Sequence, residues 1–97
     1  MLASRRLNLR VKPLENWTIR VDNKRYQRQA ARIASDRAIK ALINVLSSIV
    51  ENSEFSQDKV YRQLVVSPGL PAVIFRFRRI GDKTLELLAI QKRERGC

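Results

Sequence analysis

The sequence has no histidine, and that one absence removes a large share of enzyme chemistry. Ser-His and Cys-His nucleophile pairs are excluded, as are zinc sites built on imidazole. Proton transfer is left to a carboxylate, Lys, Tyr or water organised by Arg. Cysteine is almost as scarce: Cys97 stands alone, so no intrachain disulfide can form and nothing demands an oxidising compartment. Three glycines in the whole chain leave no phosphate-cradling loop, and no Walker or dinucleotide-binding pattern appears. Without cysteine clusters or paired carboxylates, no metal or cofactor is expected. No apolar run approaches the roughly 20 residues needed to span a bilayer. The opening "MLASRRLNLR" has no apolar segment behind its arginines, as a secretory signal would. A cytoplasmic protein that stays out of membranes is the expectation.

Acidic residues are the next shortage, 9 against 20 Lys and Arg, for a net charge of +11. Such an excess steers the chain toward polyanions: RNA, DNA, the ribosome or an acidic protein. Aromatic residues make up only 6%, too few for the stacking platform that single-strand binders use. Any hold on nucleic acid therefore falls to cationic contacts with phosphate.

What is present fits one modest core: 97 residues, 44% of them hydrophobic. Residues 1–12 read as a basic arm carrying Arg5, Arg6, Arg10 and Lys12, with a short strand near Leu9 to Val11. Residues 13–97 read as a single α+β domain. In "NWTIRVD", Trp17, Ile19 and Val21 recur at period two and predict a strand over 16–22. Asn23 follows as a helix cap. From Lys24 to about Asn52 the period becomes helical, as one long helix or two consecutive ones. Tyr26, Ala30, Ile33 and Ala34 share one face of the first part, and Arg25, Arg28 and Arg32 share another. That arginine stripe alone reads as a solvated face. Ser35 and Asp36 suit the start of a second helix with Ala38, Ala41, Leu42, Val45, Leu46, Ile49 and Val50 as its core stripe. "ENSEFSQD" reads as a loop whose Phe55 folds back onto the core. "VYRQLVV" predicts a strand over 60–66, and "SPGLP" breaks it.

The last quarter, "AVIFRFRRIGDKTLELLAIQKRER", alternates like a hairpin, with Gly81-Asp82 as the expected turn. Together with 60–66 it forms a three-stranded antiparallel meander expected to pack on the helices. That turn sets Val73, Phe75 and Phe77 on one face with Glu86, Leu88 and Ile90. It sets Ile74, Arg76 and Arg78 on the other with Leu85, Leu87 and Ala89. Snorkelling arginines that merely cover the core edge would explain the second face. The functional reading is a basic patch of Arg76, Arg78, Arg79, Arg93 and Arg95, whose planar forks suit phosphate oxygens.

The hairpin and the order strand, two helices, meander resemble the RelE/ParE superfamily of bacterial toxins. There an R-V-I-[YF]-R-like run precedes a turn, and a last strand leads to a basic end. The resemblance implies a toxin acting on translation, by cleaving mRNA on the ribosome, or on DNA gyrase. It also implies an acidic antitoxin-like partner. Carried over by position, Arg76, Arg78 and Arg93 would hold the strained phosphate of a ribonuclease, with Lys92 and Arg95 supporting them. The chain departs from the cleaving branch in having no His and no Tyr after Tyr61, which leaves Glu86 and Glu94 as candidate bases. Whether it is an enzyme stays open. The alternative is a non-enzymatic nucleic-acid- or ribosome-binding module using Arg5, Arg6, Arg10, Arg25, Arg28, Arg32 and the hairpin cations. An interaction protein whose basic face meets an acidic partner is a third reading.

Overall fold

The structure, a computed structural model, describes residues 17–93. The basic arm, its strand near Leu9, and Arg5, Arg6, Arg10, Glu94 and Arg95 lie outside the described residues. The first strand, β1 (Thr18–Arg20), is short because Asn23 turns its side chain onto the Tyr26 N–H at 3.0 Å and starts a helix. Val21 falls beyond the strand and is 40% exposed, so the expected period-two row ends at Ile19.

Two helices follow, α1 (Lys24–Ile33) and α2 (Asp36–Glu51). Ala34 breaks the run in extended backbone, and the Ser35 hydroxyl accepts the Ala38 N–H at 3.2 Å to begin α2. Asp36 in the first turn of α2 suits the positive end of the helix dipole. α1 does the opposite. Its first turn holds Lys24 and Arg25 and no acid, a placement that costs about 0.3–1 kcal/mol for each exposed cation.

The strands β2 (Val60–Val65), β3 (Val73–Gly81) and β4 (Thr84–Lys92) make the expected antiparallel meander. β1 adds a fourth strand, parallel to β4, and the sheet order is β1-β4-β3-β2. The α+β class stands, with a four-stranded mixed sheet against two helices. Leu42, Leu46 and Val50 of α2 meet Val65, Val73, Phe75, Phe77, Leu85 and Leu87 of the sheet, all with no exposed surface. Truncating either phenylalanine to Ala would cost about 3–5 kcal/mol. The α2 stripe is rotated from the expected one: Ile39, Ile43 and Ser47 are buried, while Ala41 is exposed. Phe55 does fold back, its ring edge-on to Tyr61 at 4.5 Å and to Phe77 at 5.6 Å. In "SPGLP", Gly69 takes φ 78°, a left-handed conformation that glycine adopts without penalty.

The hairpin departs from the expected register. Gly81 pairs with Thr84, so the turn is Asp82-Lys83 rather than Gly81-Asp82. Two bulges also interrupt the pairing, one at Ile80 on β3 and one at Leu88 on β4. Between them, Phe77 lies opposite Leu87 and Arg78 opposite Glu86. Leu85 and Leu87 therefore belong to the core face and Glu86 to the arginine face, the reverse of the expectation. The shift buries two leucines and spares Glu86 a place in the core. Among the described residues, no helix is long and apolar enough to cross a membrane.

Candidate functional site

The helices pack on one face of the sheet, and the other carries the arginines. Along β2 that face shows Val60, Arg62 and Leu64; along β3, Ile74, Arg76 and Arg78. β4 adds Glu86, Ala89 and Gln91. Arg62 lies directly opposite Arg76, with Cβ atoms of such cross-strand pairs about 5 Å apart. Both are exposed, and among the described residues no carboxylate pairs with either. Like charges in that position oppose pairing.

β1 accompanies β4 only from Thr84 to Glu86, and beyond that point α1 packs along β4 instead. Gln29 of α1 uses its side-chain oxygen to accept the Ile90 N–H at 2.9 Å, just past the Leu88 bulge. This bond holds the first half of α1 against the sheet margin and carries Arg25 to the arginine face. The result is a groove of about 490 Å³ lined by Arg25, Arg62 and Arg76, with Gln29 and Gln91 beside them. Val60, Ile74, Ala89 and Ile90 supply its apolar surface, and among the described residues no carboxylate lines it. Exposed arginines over an apolar floor, with no counter-charge among them, can hold an anion through charge-assisted hydrogen bonds.

The other candidate residues are placed differently. Arg78 sits one pair along from the groove and donates to Glu86 at 2.6 Å, so its charge is already matched. Its Nε is buried without a hydrogen-bond partner. Arg79 is 16% exposed and committed to structure: its guanidinium reaches the carbonyls of Phe55 at 3.3 Å and Asp82 at 2.6 Å. It also lies 5.6 Å from the Trp17 ring centre, as does the Lys83 ammonium. Arg28 and Arg32 are exposed on α1 but outside the groove lining. Lys92 and Arg93 stand exposed at the end of β4, also outside it, with the Arg93 N–H bonded to Ala72.

Proton-transfer groups do not gather at the groove. Glu86 is held by Arg78. Tyr61 points to the helix side opposite Phe77, where its hydroxyl accepts the Ser56 N–H at 2.9 Å and is drawn below the usual tyrosine pKa. Burial, with Asp36 nearby, pushes the Tyr26 hydroxyl up to about 12, and that group has no hydrogen-bond partner.

Arg62 and Gln29 were not singled out from the sequence. Arg62 alternates with Val60 and Leu64 in "VYRQLVV", a signal that was readable, although its neighbour across the sheet was not. Gln29 carried no signal, since its role depends on a bulge far along the chain. No protein-family model matches the chain, and neither the curated proteins nor the solved structures searched give a match.

Proposed function

We propose that the arginine face of the sheet binds RNA, and that the protein is a cytoplasmic RelE/ParE-like toxin that obstructs translation by doing so. The observation that carries the binding is the convergence of Arg25, Arg62 and Arg76 on one groove that no carboxylate of the described residues lines. The element order supports the toxin reading as an analogy of fold, and the net charge of +11 adds long-range attraction to the ribosome. The translational target rests on the resemblance alone. An apolar floor without an aromatic ring accommodates sugar or base edges without stacking, so affinity comes from phosphate and varies little with sequence.

Binding without cleavage is the favoured mode, because among the described residues no free carboxylate or tyrosine borders the groove. The same observation favours a second reading, a plain nucleic-acid-binding module that arrests nothing. For a cleaving toxin the resemblance implies Arg76, Arg78 and Arg93 as the phosphate residues, but of these only Arg76 lines the groove, Arg78 being paired with Glu86. An acidic antitoxin-like protein would compete for the same face.

The test is induced expression in bacteria of the wild type beside an Arg62→Ala/Arg76→Ala variant at matched abundance. It is paired with cell-free translation and gyrase supercoiling assays. Growth arrest and blocked translation by the wild type, both relieved in the variant, would support the proposal. Arrest with normal translation and inhibited supercoiling would move the target to gyrase. RNA binding with no arrest would leave the binding module standing.

A further inference from the structure

We infer that the groove is built for a terminal phosphate, a phosphomonoester at the end of an RNA chain, rather than for an internal phosphodiester. The inference rests on the RNA-binding reading and narrows it. Its first support is charge. Arg25, Arg62 and Arg76 place three positive charges around one groove, and among the described residues its lining holds no negative one. An internal phosphodiester brings a single negative charge and two oxygens free to accept. A phosphomonoester carries about −1.5 to −2 near neutral pH and offers three strong acceptor oxygens. Three guanidinium forks match the second far better than the first.

The second support is the polarity of Gln29. Its side-chain oxygen is taken by the Ile90 N–H at 2.9 Å, so its NH₂ is the part of the amide left to face a ligand. The three arginines are donors only. Together the three arginines and the Gln29 NH₂ give the groove a majority of side-chain donors, with the Gln91 amide able to turn either end to a ligand, a balance that suits an ionised phosphoryl group.

A third support is independent of the lining. Arg25 sits in the first turn of α1, where the helix dipole disfavours a cation, and Arg62 faces Arg76 directly across the strands. Two separate placements that each oppose folding converge on the same space, and a dianion there relieves both.

The experiment measures binding of one short ribo-oligonucleotide in three forms at physiological ionic strength: 5′-phosphate, 3′-phosphate and hydroxyl at both ends. A fourth, with hydroxyl ends and two extra nucleotides, supplies at least the added charge as internal phosphodiesters. Adenosine monophosphate and inorganic phosphate serve as competitors. The expected result is about tenfold tighter binding of a phosphorylated end than of the charge-matched control. That preference should disappear in Arg62→Gln/Arg76→Gln protein shown to be folded by circular dichroism. Equal affinity for all four oligonucleotides would overturn the inference and leave RNA binding intact. Binding of adenosine monophosphate with no oligonucleotide bound would keep the phosphomonoester site and overturn the nucleic-acid reading. No binding of any probe would overturn both.

Discussion

Arg62 and Arg76 stand directly opposite one another on β2 and β3, exposed, with no carboxylate paired to either among the described residues. The pair weakens the strand contact it belongs to. Replacing Arg76 with Thr, a good strand former, removes the repulsion and should raise stability by about 0.2–1 kcal/mol. Thermal melts of the two proteins check the sign. A gain in Tm joined to a loss of RNA affinity would separate the two roles of Arg76, whereas a lower Tm would show that its stem packs usefully on Ile74.

Arg78 and Glu86 make the complementary case, a matched pair beside an unmatched one. Glu86→Gln should free the Arg78 guanidinium at a stability cost of about 0.2–1 kcal/mol. RNA binding should then tighten, and its dependence on log salt should steepen by roughly one unit. Titrations at several salt concentrations read this slope directly. An unchanged slope would mean that Arg78 lies outside the RNA footprint.

Gln29 has separable duties at its two ends. Gln29→Leu leaves the Ile90 N–H without an acceptor and should cost about 1–3 kcal/mol, with faster hydrogen exchange at that amide. Gln29→Glu keeps the acceptor and replaces the NH₂ donor with negative charge. That variant should fold but bind RNA markedly less well. Exchange rates at Ile90 and binding curves together distinguish the outcomes.

Glu51 accepts from the Lys83 ammonium at 3.2 Å and from the Trp17 indole at 3.4 Å, and these bonds hold its carboxyl below the usual range. A lowered folded pKa gives stability that is present above the unfolded value and lost as pH falls through the folded one. Acid should therefore loosen the attachment of Trp17. Melting temperature followed from neutrality into the carboxylate range should fall less in Glu51→Gln than in the wild type. Parallel curves for the two would remove Glu51 from the acid response.

The two tyrosines among the described residues should ionise in separate steps. Tyr61 deprotonates first, below the ordinary value, and Tyr26 last, near 12. A raised folded pKa means that Tyr26 contributes stability below the unfolded value of about 10, lost as pH rises toward 12. Absorbance titration of the phenolates should show the two steps, and Tyr26→Phe should delete the later one. Because that hydroxyl is buried without a partner, the substitution should leave stability unchanged or slightly higher.

Local chemistry was legible in the sequence wherever one residue decides the outcome. Asn23 and Ser35 cap helices as their side chains require, and "SPGLP" ends a strand as its prolines require. Phe75 and Phe77 alternate cleanly with Arg76, so their face was readable too. The register of β4 was not. In "TLELLAIQ" both alternating sets hold apolar residues, Leu85, Leu87 and Ala89 in one and Leu88 and Ile90 in the other, so alternation cannot choose a face, and only the two bulges settle where Leu85 and Leu87 go. The groove was harder still. Arg25, Arg62 and Arg76 come from three elements, and their meeting depends on strand pairing and on the Gln29 bond.

The parallel pairing of β1 with β4 has a consequence for how the protein is made. Thr18 pairs with Thr84, and among the described residues β1 pairs with no strand but β4. During synthesis Trp17 and Ile19 must wait, unsheltered, while both helices and two strands leave the ribosome. A chain stalled before residue 84 can form helices and the β2-β3 pair but cannot close its sheet. The anion groove, which needs Ala89, Ile90 and Gln91 beside Arg25, is therefore absent until nearly the last described strand has emerged. On the proposed reading, a nascent chain stays unable to hold an anion in this groove until β4 has left the ribosome and paired.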